Sequence, residues 1–187
     1  MMGSKSQTSK PFSWKGWTGI ALALLGSSHA AAESTGRTRA EVNQEVVRTY
    51  ADVLHSVDRA SLVDALASGD PSSRKHERLD CFVQMNLTSD GGRGGASDES
   101  DMLALADRVS SEESLNLLGI MAVAPLDEEP ASAFARVHAA SERLAQVHPA
   151  ARSISMGMSH DFRQAIAHGA THLRIGTAIT GSRPIQG

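Results

Sequence analysis

The stretch SMGMSHDFRQAIAHGATHLRIGTAITG, Ser155 to Gly181, decides the fold. Ile154 to Met158 suits a short strand, and Phe162 to His168 suits a short helix stopped by Gly169. His172 to Ile175 then suits a second strand. Strand, helix and strand in quick succession is the unit of a parallel sheet with a crossover. Each strand runs into a turn that sets glycine near a hydroxyl residue, Gly157 near Ser159 and Gly176 next to Thr177. Glycine lets backbone approach an anion closely, and the hydroxyls add donors. The free amides at the start of the helix after Ser159 favour negative charge. One reading is a phosphate cradle on two neighbouring strand ends. The other is an N-cap at Ser159 and a plain turn at Gly176-Thr177.

The same alternation extends upstream. Thr38 to Thr49 suits a helix with Val42, Val46 and Tyr50 on one face. Ala51 to Val57 is a candidate strand, and Asp58 is placed to cap a helix over Ala60 to Ala67. Leu79 to Leu87 and Leu115 to Ala124 are apolar enough for buried strands. Between and after them, Asp98 to Ser110 and Ala131 to Val147 have helical periodicity, with Met102, Leu105, Val109, Phe134, Val137 and Leu144 inward. Strand and helix thus alternate through the chain, which predicts an α/β fold with a parallel sheet.

Composition narrows the function. The chain has 187 residues and a net charge of −3. The three lysines Lys5, Lys10 and Lys15 face no acidic residue within 1–32, so the remainder is more acidic than the total. An acidic body gives no electrostatic support for nucleic-acid binding. The single cysteine, Cys81, excludes an internal disulfide and a thiolate zinc cluster. Residues 1–32 run from basic to apolar (Gly16 to Gly26) to small, the layout of a secretory signal with an A-x-A cut after Ala32. That apolar run is too short to anchor in a bilayer.

Candidate site residues follow from where polar groups interrupt apolar runs. Arg174 lies in a strand between Leu173 and Ile175, and shares a strand face with His172. A buried arginine needs a carboxylate or a ligand. Asn86 stands at a strand end, either facing the sheet mouth or ending the strand in a turn. The histidines do not cluster as metal ligands, and no metal site is expected. The glycine-rich segment Thr88 to Ser97 has neither the lysine nor the glycine spacing of a phosphate-binding loop. No G-x-S-x-G elbow is present, and spacing alone identifies no Ser-His-Asp set.

Taken together, Ser155-Met156-Gly157-Met158-Ser159, Asp161-Phe162, Ala165-Ile166, Gly169 and Arg174-Ile175-Gly176-Thr177-Ala178-Ile179 resemble the C-terminal signature of the YggS/PROSC family. These are pyridoxal-phosphate homeostasis proteins with an alanine-racemase-like barrel. Upstream, Tyr50 to Asp58, Val83-Gln84-Met85-Asn86, Gly92 to Gly95 and Gly119 to Pro125 resemble further family segments, so the likeness covers roughly residues 46–184. It implies a partial (β/α)8 TIM-like barrel comprising roughly the last five strands. It implies pyridoxal 5'-phosphate (PLP) as cofactor, with Ser159, Gly176 and Thr177 on the phosphate and the Met158 region beside it. It implies that Arg174 meets the pyridine nitrogen and weakens the ring as an electron sink, which suits a carrier rather than an enzyme. Asn86 matches the family's Gln-x-Asn strand. No catalytic residue is expected.

The family's Schiff-base lysine has no match. The lysines are Lys5, Lys10, Lys15 and Lys75, none on an apolar strand. The expectation is a truncated member: an unrelated, signal-like segment over 1–45 and the C-terminal part of a PLP-binding barrel over 46–187. Non-covalent PLP binding, a cytoplasmic location and a monomer without nucleic-acid or membrane partners go with it. A remnant or interaction module without cofactor, and a secreted α/β protein, stand as alternatives.

Overall fold

Apolar runs rich in branched residues become four strands: β1 (Val53–Val57), β2 (Leu79–Gln84), β3 (Leu115–Met121) and β4 (Ser153–Ser155). They form one parallel sheet in chain order. Helices α1 (Ala60–Ala67), α2 (Glu99–Ser110) and α3 (Pro130–Val147) carry the crossovers, followed by α4 (Phe162–Ala167) and the single turn α5 (Thr177–Thr180). This computed structural model describes residues 47, 49, 51–68, 72, 76–88 and 94–181. The signal-like residues 1–32, most of the helix expected over Thr38 to Thr49, Lys75 and the centre of the glycine-rich segment lie outside that set; Val47 and Thr49 are helical.

Alternation along the strands gives the sheet two unlike faces. Cys81, Val83, Ile120 and Ile154 are buried against the helices. They meet Met102 and Val109 of α2 and Phe134, Val137 and Leu144 of α3, which are the inward residues expected of those helices. Burial pushes the Cys81 thiol up to about 12, so it is an inert core group. The other face presents His55, Phe82 and Ser155, with Asp80 and Asn116 bonded to each other further toward the amino ends of the strands (2.7 Å).

Gly119 makes the register. Its φ is +153°, and a Cβ there would lie 1.9 Å from the Ser153 carbonyl oxygen. The β2–β3 pairing slips by one residue just before Gly119, and β4 closes directly over it. Only glycine accepts both the backbone angle and the contact.

Three local expectations are corrected. Asp58 does not cap α1: the N-cap is Arg59, and the Asp58 carboxylate accepts from the Arg59 guanidinium instead (2.7 Å). Ser159 does not cap α4, whose N-cap is Asp161. The strand expected over His172 to Ile175 is reduced to a single parallel bridge, Ser155 to His172. The pairing does not vanish: Met156 N–H donates to the His172 carbonyl and Arg174 N–H to that of Gly157. Gly157, at φ +93°, bends the chain out of the extended line, so the fifth strand position is held by separate bonds rather than a ladder. Asp98, in contrast, caps α2 by accepting from Asp101 N–H at 2.9 Å.

Candidate functional site

The carboxyl ends of the parallel strands gather the loops named from sequence, as they do in barrels and open α/β sheets. The loop after β4 and the turn after the fifth position meet at Ser159. Its Oγ accepts from Ala178 N–H at 3.1 Å and, more weakly, from Gly176 N–H at 3.4 Å. Freed from helix capping, the serine ties the two loops together. With its oxygen accepting, its own proton remains to be donated outward. A Cβ built on Gly176 would meet nothing within 4 Å, so the approach to this turn is open. Thr177 is exposed at the start of α5. The Ser159 and Thr177 hydroxyls beside this opening are donors that suit an oxyanion such as a phosphate. Met158 borders it, 37 % exposed, with its N–H held by the Asp161 carboxylate at 2.5 Å.

Arg174 turns into the inner face. Nη1 donates to the carbonyl and to Oγ of Ser155, both at 2.8 Å, and Nη2 to the carbonyl of Ala122 at 2.9 Å. Its direct acceptors are therefore neutral. Burial pulls its pKa below the ordinary arginine value, opposed by the more distant charge of Asp161. Guanidinium nevertheless stays cationic in proteins, so the mouth of the sheet holds a half-buried positive charge.

Around that charge sits a cluster of which sequence reasoning named His172 and passed over His55. His55 of β1 stacks on Phe82 (centroids 4.8 Å apart), and His172 meets Phe82 edge-on at 5.0 Å. His55 Nδ1 lies 2.7 Å from Oγ of Ser155, a residue wholly removed from solvent. Burial, reinforced by Arg174 and His172, lowers the His55 pKa from 6.5 to about 4, so the imidazole is neutral near pH 7. The available signal was the one applied to Arg174: a polar residue inside an apolar strand, here VLHSV.

Asn86 lies after β2, where its Oδ1 accepts from Thr88 N–H (2.9 Å) and Oγ1 (2.8 Å). It forms the turn that ends the strand and also lines an open cleft of about 200 Å³ with Gln84, Gly94 and Val123. No group of metal ligands occurs among the described residues. Spacing had concealed one surface series: His148 lies 2.8 Å from an Asp107 carboxylate oxygen and 3.3 Å from Ser110 Oγ. It sits at the carboxyl end of α2, where exposed carbonyls and the helix dipole oppose an oxyanion. The imidazole bonds two side chains of the last turn of α2, and the arrangement is not a hydrolytic triad.

Comparison with known proteins gives the family and the fold. Residues 32–184 match the family described as "Alanine racemase, N-terminal domain". The chain is 37% identical over 145 residues to a pyridoxal phosphate homeostasis protein of Mycobacterium tuberculosis, covering 73% of this chain and 55% of that relative. A protein of the same name from Corynebacterium glutamicum is 35% identical, with 74% and 65% covered. The chain thus spans between about half and two thirds of the length of these curated relatives. Among solved structures, PipY of Synechococcus elongatus with PLP bound matches at a TM-score of 0.62 and 28% identity, covering 73% of this chain and 64% of that one. No described helix is long and apolar enough to cross a membrane. The partial alanine-racemase-like barrel and the likeness to homeostasis proteins are therefore borne out, and the chain belongs to the family of the alanine racemase N-terminal domain.

Proposed function

We propose that this chain binds PLP non-covalently and takes part in PLP homeostasis as a carrier rather than as a catalyst. The observation that carries the proposal is the joining of two loops by Ser159 beside an open Gly176, with the Arg174 cation on the adjoining inner face. The relatives' name and the PLP-bound neighbour support the same ligand. Ser159, Gly176 and Thr177 hold the phosphate, with Met158 beside it and Asn86 in the wall of the mouth. Arg174 donates to the ring nitrogen and, being unable to give up its own proton, keeps that nitrogen unprotonated. When bound, PLP supplies an aldehyde and an electron-accepting ring, and an unprotonated ring is the weaker acceptor. The described residues contain no lysine, so nothing among them offers an amine to that aldehyde. We take the protein to act in the cytoplasm and as a monomer, without a nucleic-acid partner.

Equilibrium dialysis of the full chain with PLP tests the ligand. Saturable one-to-one binding is expected, weakened about tenfold by Ser159→Ala, the loss of one hydrogen bond to a charged group. Binding that is unsaturable, or indifferent to both Ser159→Ala and Arg174→Ala, overturns the proposal.

A further inference from the structure

The Ser155 hydroxyl has one proton and two neighbours. Arg174 Nη1, 2.8 Å away, can only donate. Ser155 Oγ must therefore accept from it, and its own proton is left for His55 Nδ1 at 2.7 Å. The oxygen could accept a second time, but the buried hydroxyl proton has no other acceptor at hydrogen-bond distance among the described residues, so His55 Nδ1 takes it and is bare. We propose that His55 is a positioning residue for Arg174: in the tautomer carrying its proton on Nε2, it fixes the Ser155 hydroxyl so that the oxygen faces the guanidinium. This rests on the reading of Arg174 as the ring-nitrogen contact.

Three further observations support it. The imidazole is held in plane by its stack on Phe82, with an interplanar angle of 13°. The Ser155 side chain is fully buried, so no water competes for its proton. The charged and titratable groups acting on His55 are Arg174 and His172, and both oppose its protonation. A protonated His55 would present N–H to the Ser155 oxygen, turn the hydroxyl proton away and compete with Arg174 Nη1 for that oxygen, leaving the guanidinium held mainly by the carbonyls of Ser155 and Ala122. The geometry thus links β1, through one hydroxyl, to a side chain from the far edge of the sheet.

The tautomer is read directly. In long-range nitrogen–proton spectra of the wild-type chain labelled with ¹⁵N-histidine, His55 should show a bare Nδ1 and a protonated Nε2 from about pH 5 to about pH 8. The signal is assigned by its loss in His55→Phe, or in His55→Asn if the first fails to fold. A proton on Nδ1 overturns the proposal. The second measurement is ligand affinity. His55→Phe keeps the stack and removes the acceptor, so PLP affinity should fall about tenfold while affinity for inorganic phosphate stays unchanged. His55→Asn, whose Oδ1 takes the place of Nδ1, should restore PLP affinity to within about threefold. Equal losses for PLP and inorganic phosphate, or no rescue by asparagine, count against positioning. If the wild-type chain binds no PLP, the functional reading falls, and the tautomer alone decides whether His55 holds Ser155 toward Arg174.

Discussion

The two faces of the sheet follow different rules. The helix-covered face is uniformly apolar: Cys81, Val83, Ile120 and Ile154 meet α2 and α3 with almost no surface left to water. The opposite face carries two histidines, a buried serine and an arginine around one phenylalanine ring. The first face is favoured by the removal of apolar area from water, which tolerates exchange between residues of similar volume. The second depends on every donor finding its acceptor, so a single deletion strands a partner. Stability thus resides mainly on one face, and the proposed ligand chemistry on the other.

Substitutions on each face test that division. Phe134→Ala, on the helix-covered side, should cost about 3–5 kcal/mol in denaturant unfolding; a loss under about 1 kcal/mol would mean that this face is loosely packed. Gly119→Ala, at the seam where β4 closes, forces a Cβ against the Ser153 carbonyl. It should cost about 2–4 kcal/mol and remove amide-exchange protection from β4 first. Ser155→Ala, on the inner face, should cost about 1–3 kcal/mol by leaving Arg174 and His55 without their shared partner. Its effect on PLP affinity should exceed that of Phe134→Leu, which changes the core alone.

The smallest effect concerns pH. His55 has a folded value of about 4 against an ordinary 6.5, so unfolding takes up a proton between those values. Its contribution to stability is complete above about pH 6.5 and is lost as pH falls toward about 4. Urea midpoints across that window should fall less steeply in His55→Asn than in the wild type. Equal slopes would show that the imidazole is solvated in the folded chain.

The helix-covered face was legible in the sequence because burial leaves a periodic trace. Met102, Leu105 and Val109 in α2 and Phe134, Val137 and Leu144 in α3 mark it directly. The inner face was only half legible. Arg174 stood out as a charge within an apolar strand, whereas His55, with the same signal, did not, because its partner is 100 residues away. Ser159 misled in another way. A serine before a short helix reads as an N-cap, and only the folded chain reveals that Gly176 and Ala178 compete for its oxygen. The fifth strand was overestimated because Leu173 and Ile175 have strand character, while the bend at Gly157 is a property of backbone angle.

The central claim is that this site holds PLP without a covalent anchor. Titrate the full chain with PLP, treat one portion with borohydride, and compare the cofactor retained through denaturation by mass spectrometry. The account predicts saturable binding before denaturation and no stoichiometric adduct after it. A single borohydride-stable adduct at one lysine, or no saturable binding at all, would contradict it.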